Sequence, residues 1–269
     1  MNKKFKSIAL LAMAAATLAG SSAFAAEAVA PTSTPNVSES ISYQFGPTLH
    51  REKYTEYANG QKIMRQSGTL VGVQGIASAP IYGGIVAVGG SLAYGQADYT
   101  GSYQGGNFGD VFIPNLDRHL ATIDVSYKVA PQGFHDVAFT TGLGLRHHVD
   151  RLDQAGPGGY KRENNRLFVS FGVERPYAVG DWTFVPSATY KRLAWGEQKS
   201  DILGGLTMKQ KHGWGTELAV SITHKDAWQG LTFTPYVSTW DVKPSEVVGG
   251  YVEPKNKTTE SGVRALFRF

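Results

Sequence analysis

A closed antiparallel β-barrel of about ten strands, set across a membrane, is the fold the sequence predicts. Three observations predict it: an alternating C-terminal segment, a series of long stretches with the same period, and connections that alternate between short and long. The tail Thr259–Phe269 shows the first. At period two, Ser261, Val263, Ala265, Phe267 and Phe269 share one face, while Glu260, Gly262, Arg264, Leu266 and Arg268 share the other. One face suits lipid and the other polar contents. A soluble sandwich strand rarely carries two arginines inward and stops on a terminal Phe.

The remaining strands follow in order from alternation and turn signals. They are Ile41–Tyr57, Lys62–Ala77, Ile85–Asp98, Arg118–Val129, Val137–Val149, Arg166–Arg175, Trp182–Trp195, His212–His224, Leu231–Val242 and Thr258–Phe269. Each is long enough to cross the hydrocarbon at a tilt, which soluble strands of about five or six residues are not. Asn59-Gly60 suits a tight hairpin between the first two. Beyond it, compact connections at Ser78–Gly84, Ala130–Asp136, Pro176–Asp181 and Lys225–Gly230 alternate with long polar ones. The long ones are Tyr99–Asp117, Asp150–Asn165, Gly196–Lys211 and Lys243–Lys257. An even strand count returns the C-terminus to the side where the N-terminus began.

Period two also assigns faces. Val88, Leu92 and Tyr94 oppose Gly89, Ser91 and Ala93; Ile123, Val125 and Tyr127 oppose Thr122, Asp124, Ser126 and Lys128. Phe139, Leu143 and Leu145 oppose Thr140, Gly142, Gly144, Arg146 and His148, and Val169, Phe171 and Val173 oppose Ser170, Gly172 and Glu174. Trp214, Leu218, Val220 and Ile222 oppose Glu217, Ala219 and Ser221. The large apolar sets are expected to face lipid, with the small and charged residues inside. Tyr127, Trp182, Tyr190, Trp195, Trp214 and Phe269 fit interfacial girdles.

At the other end Lys3, Lys4 and Lys6 precede an apolar run, Ile8 to Gly20, and Ala23-Phe24-Ala25 supplies a small-x-small cleavage pattern. Residues 1–25 therefore read as a cleaved signal peptide, 26–40 as a Pro/Ser/Thr/Ala-rich lead-in and 41–269 as the barrel. Removing the leader leaves 23 basic against 22 acidic residues, so the basic balance of the whole chain does not argue for nucleic acid. Zero cysteines exclude disulfides, thiolate metal sites and a Cys nucleophile. No acidic loop has calcium-ligand spacing and the histidines are scattered, so neither metal nor cofactor is expected. Gly156-Pro157-Gly158-Gly159 lacks the Gly-Lys-Ser/Thr of a phosphate loop and reads as turn chemistry.

Leader, strand pattern and tail together resemble the small outer-membrane β-barrels of Gram-negative bacteria, porin-like proteins included. The resemblance covers the whole chain. It implies short periplasmic turns, long extracellular loops, a terminal Phe269 that the barrel-assembly machinery reads as an insertion signal, and contact with outer-membrane lipid and lipopolysaccharide. A porin-like function with a narrow polar interior is the leading expectation, with no enzymatic activity.

Asp124, Lys128, Arg146, Glu174, Glu217, Arg264 and Arg268 are the charged residues expected to line that interior. They suit either a constricted polar pore or a plugged, salt-bridged scaffold. Arg151, Lys161, Arg162, Lys209 and Lys211 are basic residues of the expected outer loops and candidates for binding surface anions. A surface-binding barrel that acts on an extracellular ligand through its loops is the alternative function. A hydrolase near His148 is a third: a ten-strand count resembles the omptin proteases, which need paired aspartates and an Asp/His dyad at the outer rim. No segment here matches the paired aspartates, and tandem His147 and His148 must point to opposite faces.

Overall fold

The computed structural model describes residues 41–102 and 106–269; the expected signal peptide and the whole lead-in lie outside them. Twelve strands form one antiparallel sheet: β1 Ser42–Ala58, β2 Gln61–Ile81, β3 Gly84–Gly101, β4 Val111–Val129, β5 Ala138–Arg151, β6 Lys161–Glu174, β7 Tyr177–Val179, β8 Trp182–Ser200, β9 Leu206–Gln210, β10 Gly213–His224, β11 Leu231–Val242 and β12 Lys255–Arg268. Ten of them close the barrel, each paired with its neighbour in sequence apart from the two short ones. β1 completes the ring against β12, in register from Gln44↔Arg268 to Tyr57↔Lys255. The short β7 folds back on the start of β8, and β9 on its far end. Closure leaves no edge open along the membrane-crossing part of the sheet.

The expected faces match the structure. Leu49, Val71, Leu92, Val125, Leu143, Phe171, Leu218 and Val237 point outward and are 46–63% exposed, which a soluble barrel would not tolerate. Together they make an apolar belt around the wall. Trp195 and Trp214 lie at its upper margin and are partly exposed. At the opposite end Trp182 packs edge-on against His224 and Trp228, with ring centroids 4.6 Å and 5.0 Å away. Inward positions carry many small or polar side chains, with a few large apolar ones such as Leu70, Phe168 and Trp240 packed among them. At Gly144 a β-carbon would lie only 2.3 Å from the Phe168 ring, so the missing side chain is what admits that ring.

The strands run further than the sequence suggests, almost always at the loop end. β4 begins at Val111 rather than Arg118, β6 at Lys161 rather than Arg166, and β8 continues to Ser200 rather than Trp195. Five strands reach 17–21 residues, where about 9–11 suffice to cross the hydrocarbon. Their upper parts form a collar beyond the belt. There the outward residues turn polar (Arg51, Ser67, Gln96, His119, Asn165, Glu197), and many of the inward ones are polar too. Apolar/polar alternation therefore vanishes while the hydrogen-bonded ladder continues. The Asn59-Gly60 turn has both residues at positive φ, 51° and 79°, as a type I′ hairpin requires. Tyr82-Gly83 makes an equivalent turn (47° and 75°), so the expected connection Ser78–Gly84 shrinks to two residues.

Adjacent residues on β6 test this facing. Val169→Arg should cost about 2–4 kcal/mol at mid-membrane depth, because it places arginine in hydrocarbon. Ser170→Arg, which turns into the interior, should cost less. Folded fractions of the two variants under urea titration in lipid vesicles check the order, and a reversed order would mean an inverted register.

Candidate functional site in the barrel interior

Inside the collar, the period-two rule delivers charged side chains from many strands to one level. β1 contributes Glu52, Tyr54 and Glu56; β4 Arg118; β5 Arg146, His148 and Asp150; β6 Arg162 and Arg166; β12 Glu260; and the connection before β12 Glu253. All are buried. Arg118 is 1% exposed, and Asp150 and Arg162 are 0%. Aliphatic and aromatic side chains flank them, with Leu70 and Leu120 on one wall and Phe168, Leu193 and Trp240 on the other.

The charges pair as a network. Arg118 donates from Nε to Glu52 Oε1 at 2.5 Å, from Nη1 to Gln66 Oε1 at 2.7 Å, and from Nη1 to Asp150. Arg162 donates to Asp150 Oδ2 from Nε at 3.0 Å and from Nη2 at 2.9 Å, to Gln66 Oε1 at 3.1 Å, and to Glu56. Arg146 bridges Glu52 Oε2, at 3.1 Å, and Glu260. The Arg118 and Arg162 guanidiniums lie 5.5 Å and 4.9 Å from the centre of the Tyr54 ring. Arg166 has no carboxylate within 4.0 Å among the described residues; it donates to Asn256 Oδ1 at 3.1 Å and lies near the Trp240 ring. The four arginines come from β4, β5 and β6, while four of the five acids come from β1, β12 and the connection before β12.

Glu253 balances this set. Four guanidiniums face five carboxyls, and burial together with the neighbouring Glu56 raises the Glu253 pKa to about 8. Protonated Glu253 makes the count four against four. It also resolves the Tyr54 hydroxyl, which lies 2.9 Å from both Glu56 Oε1 and Glu253 Oε1 but carries a single proton. Tyr54 donates to Glu56, and the Glu253 carboxyl donates to Tyr54.

A second, lower cluster lies at belt height. Glu217 accepts from Lys191 Nζ at 2.9 Å and from Arg264 Nη2 at 2.8 Å, and Arg264 stacks 3.9 Å from the centre of the Tyr236 ring. Lower still, Lys128 Nζ donates to Glu174 Oε1 at 2.8 Å, and both are about one-third exposed. The wall beside them is lined by Ser126, Gly142, Ser170 and Gly172, which leave room at the turn end.

Of the interior residues expected from sequence, Asp124, Lys128, Arg146, Glu174, Glu217 and Arg264 point inward. Arg268 has the same parity as Arg264 and is exposed at the last position of β12, where the barrel ends. Among the expected surface cations, Arg162 is misplaced. It lies on an inward position of β6, not in a loop, and is sealed within the network. Arg151 pairs with Asp153, Lys161 with Glu163 and Lys211 with Glu246, so these three are matched by nearby acids; Lys209 is exposed. Sequence reasoning missed Glu52, Glu56, Arg118 and Glu253 as interior groups, while parity with Ser170 and Glu174 already puts Arg166 on the inward face. Parity along Thr48, His50, Glu52, Tyr54 and Glu56 is the signal that could have found the first two.

His148 is 2% exposed, with Nε2 3.6 Å from Asp150 Oδ1 and 3.7 Å from Glu52 Oε1. Its neighbours are carboxylates and guanidiniums, with no serine hydrogen-bonded to it. His147 points outward, and its Nδ1 lies 2.7 Å from Asn165 Oδ1. Among the described residues no group of three His, Asp or Glu is arranged to hold a metal.

Glu253 makes stability depend on pH. Its folded pKa, about 8, exceeds the ordinary 4.5, so the folded barrel binds a proton that the unfolded chain releases. Stability should fall as pH rises from about 5 to 8. Glu253→Gln keeps the donor and removes the titration, so its melting midpoint, read by heat-modifiable mobility from pH 5 to 9, should stay flat where wild type declines.

No protein-family model matches the chain, and no curated protein matches it. Solved structures do. The outer membrane protease OmpT from Escherichia coli superposes with a TM-score of 0.52 at 12% identity, covering 88% of this chain and 99% of OmpT. Neisserial surface protein A (TM-score 0.32, 9% identity, 86% of this chain and 100% of that one) and the translocator domain of the autotransporter NalP from Neisseria meningitidis (0.38, 10%, 87% and 90%) also match. At such identities the likeness concerns the fold alone. The chain has the fold of the outer-membrane β-barrels.

Proposed function

We propose that this chain is a closed, non-enzymatic outer-membrane barrel that acts through the surface it displays to the outside, not through passage of solutes. The observation that carries this reading is the network across the collar. Arg118, Arg162, Glu52 and Asp150 are almost fully buried; Asp150 pairs with Arg118 and Arg162 on the neighbouring strands, while Arg118 reaches Glu52 and Arg162 reaches Glu56 across the lumen. A hydrated ion meets paired charges there and not a water-filled path. The signal peptide would export the chain through the periplasm, and the assembly machinery would insert it with the loops outward. Outer-membrane lipid and an extracellular ligand are its expected partners.

The porin-like reading has its own support in the turn-end half of the interior, where Ser126, Gly142, Ser170 and Gly172 leave a polar recess beside the partly exposed Lys128 and Glu174. For conduction the Arg118 and Arg162 pairs would have to part. A hydrolase at His148 is less favoured: the ring is sealed and no nucleophile touches it.

Bilayer conductance of the refolded barrel separates these readings. Wild type should be silent. The Arg118→Ala variant takes one donor from each of Glu52 and Asp150, leaving them to Arg146 and Arg162, and should lose about 3–5 kcal/mol of stability. Reproducible conductance steps in wild type, at neutral pH and moderate voltage, would overturn the proposal in favour of a pore.

A further inference from the structure

Asp124 stands alone in the lumen at belt height. Its carboxylate accepts no hydrogen bond and meets no cation within 4.0 Å among the described residues. Register explains the isolation: its partners on β3 and β5 are Gly89 and Gly144, so neither neighbouring strand offers it a side chain. A β-carbon at Gly89 would lie 2.9 Å from Asp124 Oδ1, so the carboxylate rests against bare β3 backbone. Thr122 and Ser126 occupy the inward positions on either side of it along β4.

The opposite wall carries the reverse charge. Around the ring, β4 reaches β10 through β5, β6 and β8, and reaches β12 through β3, β2 and β1. Glu217 of β10 and Arg264 of β12 therefore face Asp124 from across the lumen, with Lys191 of β8 beside them. These three are the charged groups whose fields act on Asp124. Glu217 accepts from both Lys191 and Arg264, so two cations share one acid and the cluster is net positive. The next acid along β12, Glu260, is engaged by Arg146.

Solvent space separates the two walls. The Lys191 and Glu217 side chains are 17% exposed and that of Arg264 23%, while Asp124 is half-buried. All four point into a closed ring at membrane depth, so that exposure is to the lumen. The collar seals the space above, and the recess beside Lys128 and Glu174 opens it toward the turn end.

We infer that this gap binds a small zwitterion of the amino-acid kind, its carboxylate on Lys191 and Arg264 and its ammonium on Asp124. The arrangement of fixed charge selects the class. A lone anion would reach the cations but face Asp124, and a lone cation would reach Asp124 but face the positive wall. A molecule carrying both charges satisfies both walls, and screening is weak in so confined a space. The Thr122 and Ser126 hydroxyls can accept the ammonium protons that Asp124 leaves over. An unpartnered carboxylate at this depth costs stability, which a bound ammonium restores. Entry from the turn end needs no path through the collar, so the site stands whether or not the barrel conducts.

The test titrates the full refolded barrel, in a nonionic detergent, with glycine, 4-aminobutyrate and 6-aminohexanoate, which step the two charges apart. Butyrate and butylamine, each with one charge, are the comparison, and calorimetry reads the affinities. At least one zwitterion should bind wild type roughly tenfold or more tighter than either singly charged compound. Asp124→Asn should erase that preference. It should also raise the melting midpoint of the empty barrel, since it removes a charge without a partner, so misfolding does not cloud the result. Lys191→Gln, which leaves Glu217 to Arg264, should weaken zwitterion binding roughly tenfold. Lys128→Gln, lower in the recess, should bind as wild type does. No preference for any zwitterion, an unchanged affinity in Asp124→Asn, or an equal loss in Lys128→Gln would each overturn the assignment.

Discussion

A closed barrel must satisfy every polar group it turns inward, and in the collar it turns in arginines and carboxylates at the same height. Four guanidiniums and five carboxyls share a dry space between ten strands: Asp150 pairs with arginines of the neighbouring strands, Arg118, Arg146 and Arg162 also reach acids of β1 or β12, and Arg166 turns to Asn256. Charged groups so enclosed are tolerated only when matched and hydrogen-bonded. That demand explains several features at once: why Asp150 takes both Arg118 and Arg162, why Gln66 accepts from the same two, why Tyr54 lies beneath two guanidiniums, and why Glu253 holds its proton.

The interior is graded along its axis. At the turn end, small residues leave a recess in which Lys128 and Glu174 still meet water. At belt height, Glu217 gathers Lys191 and Arg264 against Tyr236. In the collar no such room remains. The outer wall is graded in the opposite sense, apolar at the belt and charged above it. The same strand segment therefore has charges on both faces once it leaves the bilayer. Inside, they pair with one another; outside, Arg51 and Lys53 have no carboxylate within 4.0 Å among the described residues.

The belt was legible in the sequence because lipid on one side and small polar residues on the other impose a strict period of two. Val169 against Ser170, or Leu143 against Gly144, can be assigned without coordinates. The collar was not legible, because the contrast disappears where both faces are polar. Lys161, Glu163 and Asn165 point out while Arg162, Asn164 and Arg166 point in, and no hydropathy pattern tells these sets apart. Arg162 was thus read as a loop cation although it is sealed inside. Partner choice was hidden for another reason: Arg162 and Glu56 are far apart in the chain, and only closure of the ring brings them together.

The division of charge between the middle and the ends of the chain bears on how the barrel forms. Arginines sit on β4, β5 and β6, while Glu52, Glu56, Glu253 and Glu260 belong to the first strand, the last strand and the connection leading into it. Asp150 meets Arg118 and Arg162 as soon as β4, β5 and β6 pair, but the acids of β1 and β12 reach the arginines only when the sheet curls round to bring them across the lumen. Most of the electrostatic gain is therefore withheld from partly assembled chains and arrives at the seam. Zipping the final pair of strands also neutralises the lumen, so a ring closed in the wrong register would leave unmatched charges buried at its centre.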